Sequence, residues 1–172
     1  MTISKAIRKR RSIRKFKPGA EVTDEQIKSM LEAAMMAPSA CNTRPWEFIV
    51  IKDRKKLDQI RKVHPYTGML ETASLAIVIC ALPDTQVGMR NDIASGYYPQ
   101  DCGAATQNIL LQAVELGLGT CWCGVYPKED RIKEIRSILD ITELPFCVIA
   151  VGVPDEEPDP RGYYEEGKVK YV

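Results

Sequence analysis

Between Lys5 and Lys17 the chain carries eight basic residues and no acidic one, although all 172 residues together have a formal charge of only +1. Within that run Arg10, Arg11, Ser12 and Arg14 stand where a short amphipathic helix should end, so guanidinium forks and one hydroxyl can converge on a single phosphate. Taken alone, the run equally suits a solvated basic face, a polybasic lipid patch or a targeting arm. Downstream lies Pro38-Ser39-Ala40-Cys41-Asn42-Thr43-Arg44-Pro45-Trp46. Its prolines stiffen the backbone while Ser39 and Asn42 offer short hydrogen-bonding side chains, yet a well-defined turn with Trp46 buried needs no ligand. A third candidate is the bend Gly117-Leu-Gly119-Thr-Cys121-Trp122-Cys123-Gly124, whose glycines let backbone approach a planar ligand closely.

Other chemistry is poorly supported. Cys-x-Cys is poor zinc spacing and no second cysteine pair or histidine cluster accompanies Cys121 and Cys123, so no metal site is expected. His64 is the lone histidine, and no nucleophile–His–acid arrangement can be argued around it. Asp101 and Gln107 could reach a site from a long helix, though helix packing suffices to explain them. Asp155, Glu156 and Glu157 read as a solvated turn.

The elements that must position these residues are legible from periodicity. Residues 2–9 read as a short helix. Thr23-Asp-Glu-Gln26 has the form of a capping box, and Ile27, Met30, Leu31 and Ala34 then recur at helical spacing up to Pro38. Strands are expected at 47–51, 74–82, 119–124 and 146–153, with helices at 55–62, about 98–116 and about 128–139. The run from Ser74 to Leu82 is apolar on both faces and hence central. The helix at 98–116 has apolar residues all round its axis and needs burial on several sides, which a second subunit would most easily complete. Two opening helices, and no Gly-rich phosphate loop after a first strand, exclude a Rossmann fold and point to an α+β sandwich.

The length fits one domain, 1–172, with 154–172 as a C-terminal arm rich in Asp, Glu, Pro and Gly. Near-neutral charge argues against a general nucleic-acid binder and favours a small-molecule partner. The longest apolar run is strand-sized and no apolar signal core follows the basic N-terminus, so no membrane association and a cytoplasmic location are expected. Six cysteines set mostly in apolar segments suit reduced, buried thiols.

Arg-Arg-Ser-x-Arg near the start, Pro-Ser-x-x-Asn-x-x-Pro-Trp after it, Asp101-Cys-Gly-Ala-Ala-Thr-Gln-Asn108, Leu116-Gly-Leu-Gly119 followed by Trp122-x-Gly124, and Val151-Gly-Val-Pro154 with Arg161 beyond together resemble the nitroreductase family of FMN-dependent oxidoreductases. The resemblance implies a homodimeric α+β fold with a central, mostly antiparallel sheet flanked by helices. It assigns Arg10, Arg11, Ser12, Arg14 and Arg161 to the phosphate and ribityl end of FMN. Pro38, Ser39, Ala40 and Asn42 become cofactor contacts from a loop that touches a flavin held chiefly by the other subunit. Cys121, Trp122, Cys123 and Gly124 carry over mainly for their main chain, which in the family lies against the isoalloxazine and donates an amide hydrogen to flavin N5.

Arg44 departs from the family's commoner Gln, and a cation there could attract a carboxylate substrate or point into solvent. No side chain is required as acid or base, since the cofactor carries the hydride chemistry. The implied activity is ping-pong transfer of hydride from NADH or NADPH, through flavin N5, to nitroaromatics, quinones or similar electron-poor acceptors. The short chain implies an open pocket, and a protein electron donor is also compatible with it. Other readings are a non-catalytic flavin or nucleotide sensor, a flavoenzyme of the same scaffold performing dehalogenation or dehydrogenation, and a basic-armed interaction protein without flavin.

Overall fold

The computed structural model describes residues 2–86, 94 and 96–172. Helix α1 (Ile3–Lys9) opens on a Thr2 cap, and α2 (Asp24–Met35) opens on the complete capping box, in which Gln26 N–H donates to Thr23 Oγ1 and Thr23 N–H donates to Gln26 Oε1. Then come β1 (Trp46–Ile51), α3 (Arg54–Val63), β2 (Leu75–Ala81), α4 (Tyr98–Glu115), β3 (Gly119–Gly124), α5 (Glu129–Leu139) and β4 (Leu144–Gly152). The four strands form one sheet in the order β1-β2-β4-β3, and every pairing in it is antiparallel.

Alternation divides the strands between two cores. Ala76, Val78, Cys80, Cys121, Cys123, Val148 and Ala150 face α3 and α5 through Leu57, Ile60, Ile132 and Ile135. Leu75, Ile77, Ile79, Ala81, Cys147, Ile149 and Val151 face α2 and α4 through Met30, Ala34, Ala105, Ile109 and Ala113. Strand β2 is buried along its whole length, as its unbroken apolar run requires. Each fully buried Leu, Ile or Met contributes roughly 1.5–3 kcal/mol relative to exposure. The result is an α/β/α sandwich built on an antiparallel sheet.

One expectation needs correction. Helix α4 does not depend on a second subunit for most of its burial, because Cys102, Ala105, Thr106, Ile109, Leu110 and Ala113 are already enclosed within the protomer by the sheet and α2. Asn108 and Gln112 add hydrogen bonds to Ala33 O and Ser29 Oγ on α2. What stays half-exposed is a stripe at helical spacing: Gly103, Ala104, Gln107, Leu111 and Val114. Among the described residues no helix is long and apolar enough to cross a membrane. All six cysteines are free thiols, five of them buried.

Candidate active site

The basic segment leaves α1 and runs along the outer edge of β3. Ile13 N–H donates to Thr120 O at 2.9 Å, and Ser12 pairs with Thr120 as a short parallel bridge. Gly119 makes this possible, since a Cβ there would meet the Ile13 side chain at 2.9 Å. The chain beyond β4 clamps the same segment from its other side. Lys17 N–H donates to Val153 O, Asp155 N–H donates to Lys15 O, and Glu156 Oε1 accepts the backbone N–H groups of Arg14 and Lys15. Glu156 is therefore not part of a solvated turn. Its carboxylate holds the backbone that carries Arg14.

Where the basic segment stops covering β3, a pocket opens. In an antiparallel ladder both backbone groups of alternate residues point away from the paired strand. Thr120 O accepts from Ile13 on the outer side and Gly124 O accepts from His64 on the same side, so the N–H groups of Trp122 and Gly124 also point outward. They meet a pocket of about 490 Å³ lined by Arg14, Pro65, Tyr66, Gly68, Met69 and residues 121–124. Outward amides beside a guanidinium suit a planar, acceptor-rich, anionic ligand.

The thiols beneath this ledge respond to the same field. A hydrogen bond from Cys123, with Arg14 and Arg10 nearby, draws the Cys121 thiol down to about 7, against the opposing effect of burial. That contact and burial push Cys123 up, and its Sγ lies 3.1 Å from Tyr66 O. Among the described residues no cluster of three or more potential metal ligands exists.

His64, for which the sequence offers no catalytic partner, is buried and ordered on both ring nitrogens. Its Nδ1 accepts Tyr66 N–H at 3.2 Å, which fixes the neutral Nε2–H tautomer that donates to Gly124 O at 2.9 Å. Arg131 donates a second hydrogen bond to Gly124 O, so the end of β3 is pinned from two elements. A backbone carbonyl as partner leaves no mark in a sequence pattern, and this role could not be read there.

The cluster inferred at the N-terminus is divided by the fold. Arg14 lines the β3 pocket, whereas Arg11 lines a separate groove of about 820 Å³ with Lys9, Ile13 and the tail residues 154–160. Arg161 is exposed one residue beyond that groove.

The loop from Pro38 to Pro45 sits elsewhere. Cys41, Asn42 and Arg44 all adopt left-handed φ values of 52°, 55° and 51°, each costing roughly 1–3 kcal/mol and persisting only when the surroundings enforce it. Here Asp101, buried on α4, accepts Ala40 N–H, Ser39 Oγ accepts Arg44 N–H, Thr43 Oγ1 donates to Ala40 O and Cys102 Sγ donates to Pro45 O. Trp46 is buried in the core, and the Arg44 guanidinium donates to Met35 O from an exposed side chain. The loop lies at the same end of the sheet as Gly124 but at the opposite edge. Three strand spacings, about 14 Å, separate it from the β3 pocket, so one protomer does not bring Ser39 and Asn42 together with Arg14.

Comparison with known proteins identifies the family. The model of the nitroreductase family matches residues 7–65 and 59–153. A protein of Methanothermobacter thermautotrophicus described as "Putative NADH dehydrogenase/NAD(P)H nitroreductase" is 44% identical over 171 residues, covering 98% of this chain and 86% of that protein. The structure of an FMN-dependent nitroreductase from Clostridium difficile superposes with a TM-score of 0.84 at 35% identity, covering 96% of each chain. A crystal structure from Desulfovibrio desulfuricans described as a "putative nitroreductase in complex with fmn" gives 0.79 at 30% identity, covering 98% of this chain and 94% of that one. On these matches, which span nearly its whole length, the chain belongs to the nitroreductase family.

Proposed function

We propose that the protein is an FMN-dependent oxidoreductase that takes electrons from NADH or NADPH and passes them to nitroaromatics, quinones or similar electron-poor acceptors. The observation that carries this reading is the uncovered stretch of β3, where outward amides at Trp122 and Gly124 adjoin Arg14 in one pocket. Support comes from the relatives, one of them called FMN-dependent and one a complex with FMN.

The residues fit the group. Arg14 would hold the phosphate and ribityl end with Arg10 and Ser12 from the same segment, whereas Arg11 and Arg161, set at the separate groove, would have to turn toward it to join them. The main chain of 121–124 would lie against the ring system. Bound FMN would supply two-electron transfer between nicotinamide and acceptor. The chain's own part is to orient both partners over one open pocket and to place positive charge and N–H donors where negative charge develops. One pocket serving both partners in turn implies ping-pong kinetics.

The site is completed by a second copy, because Pro38, Ser39, Ala40 and Asn42 lie at the far edge of the sheet. Two surfaces support that pairing. Tyr163, Tyr164 and Tyr171 stand exposed on an arm that is extended at Glu165 and Val169. An apolar groove beside β1, lined by Ile27, Leu31, Met35 and Val50, offers such an arm a seat.

The experiment is a spectrum followed by an anaerobic titration. Purified protein should be yellow, bleach on adding NADH or NADPH, and recolour with a nitroaromatic or quinone. Yellow protein inert to both donors would replace the enzyme with a flavin-binding sensor. Intersecting initial-rate lines would remove the shared-pocket mechanism.

A further inference from the structure

Tyr66 is two-thirds exposed, at 66% of its surface, yet both its main chain and its ring are held by named partners. Its N–H donates to His64 Nδ1 at 3.2 Å and its C=O accepts from Cys123 Sγ at 3.1 Å. Its ring meets the His64 imidazole edge to face, with centroids 6.1 Å apart and planes at 74°. Arg131 places its guanidinium carbon 5.2 Å from the ring centroid. The turn that carries Tyr66 is fixed as well, since Thr67, itself buried, donates Oγ1–H to His64 O at 2.8 Å.

An exposed tyrosine with no task keeps its rotamer freedom, which is worth more than an exposed position returns. Here the ring, met by the His64 imidazole and the Arg131 guanidinium, lines the pocket that also holds Arg14, Met69 and residues 121–124. Arg131 takes one side of the ring and the rest of it remains open. A rigid, electron-rich ring whose ordering cost is already met binds an electron-poor planar partner by offset stacking.

We infer that Tyr66 is a specificity-determining residue that stacks on the planar electron acceptor, so that the pocket selects flat aromatic acceptors over non-planar ones. This rests on the flavoenzyme reading and deepens it by naming the wall that chooses the substrate. Nothing in the residue type announced it: a Pro-Tyr-Thr-Gly turn reads as an ordinary loop, and only the convergence of His64, Cys123 and Arg131 on it reveals preorganisation.

The test uses the FMN-loaded protein without any electron donor, so that no turnover occurs. Binding of 1,4-dinitrobenzene is followed by the perturbation of flavin absorption in wild type, Tyr66→Phe, Tyr66→Leu and Tyr66→Ala, and retention of FMN is measured alongside. Stacking worth about 0.5–1.5 kcal/mol predicts a Kd within about twofold of wild type for Phe and about two- to twelvefold weaker for Ala and Leu, each compared at equal FMN occupancy. Steady-state rates should show the same rise in KM for the nitroaromatic, and none for ferricyanide, which needs no stacking surface. A Leu variant that binds as wild type would overturn the stacking role, and an Ala variant that sheds FMN would make Tyr66 a flavin contact instead. Both outcomes leave the flavoenzyme reading intact, whereas a wild-type protein without flavin defeats both.

Discussion

The outer edges of β1 and β3 face the same physical problem, a row of backbone groups with no neighbouring strand, and resolve it differently. Along β3 the protein's own N-terminal segment satisfies Thr120, the His64 loop and Arg131 satisfy Gly124, and only the stretch between them is left to a pocket. Along β1 no strand pairs with the outer edge among the described residues, and an apolar groove runs beside it. A short gap bounded by charge suits a small anionic ligand. A long edge bordered by apolar side chains suits another polypeptide. On the proposed reading one edge would take the cofactor and the other a partner copy, and the strained loop at the start of β1 is what that partner would contribute.

The sharpest way to break this division is at Gly119. Replacing it with Val puts methyl groups into the Ile13 side chain, already only 2.9 Å from a bare Cβ. Overpacking of this kind costs roughly 1–3 kcal/mol, and relief requires lifting the basic segment off β3. FMN retention should then be lost entirely while the β1 edge, and with it the oligomeric state, is preserved. Fluorescence titration with FMN and light scattering on the same sample check the two halves.

A smaller effect separates the edges by genetics of the subunits. Arg14→Ala should weaken FMN binding by roughly 10–100-fold, the worth of one charge-assisted contact. Asp101→Ala should loosen the loop that carries Ser39 and Asn42, since the carboxylate accepts Ala40 N–H at 3.1 Å. If each site takes Arg14 from one protomer and the loop from the other, co-folding the two variants regenerates intact sites in the mixed dimers, about a quarter of all sites. FMN bound at limiting concentration reads this directly. No recovery would place both elements in one protomer's site.

How much of this was visible beforehand follows from the kind of interaction involved. The helices and strands were legible because their apolar periods are local, and the capping box at Thr23 and Gln26 formed as its pattern demands. The continuous apolar run at Leu75–Leu82 correctly signalled a strand covered on both faces. Glu156 reads as part of a solvated turn because its partners, the amides of Arg14 and Lys15, lie more than 140 residues away in sequence. The role of His64 is not legible because it binds main chain at both nitrogens, and main-chain partners have no residue identity to recognise. That the sheet and α2 already cover most of α4, leaving less for a second subunit to complete, is not legible because periodicity counts apolar faces but does not say which neighbours cover them.

The smallest effect concerns the pin at the end of β3. Burial pushes the His64 pKa below its ordinary value of 6.5, with Arg131 adding to the shift and the Gly124 carbonyl opposing it. The native imidazole is neutral, with Nδ1 committed as acceptor to Tyr66 N–H, so a proton there would break that bond. Below pH 6.5 the unfolded chain binds more protons at this residue than the folded one, and stability must fall as pH falls, until the lowered native pKa is reached. The stability that His64 confers is therefore fully present above 6.5. Urea midpoints should drop between about pH 7.5 and pH 5.5, before most carboxylates titrate, and in His64→Gln the slope over that window should flatten while the midpoint at neutral pH falls. If the slope survives the substitution, another group sets it. If the neutral midpoint is unchanged, the two hydrogen bonds of His64, one to Gly124 O on β3 and one from Tyr66 N–H within its own loop, are not what fix the end of β3.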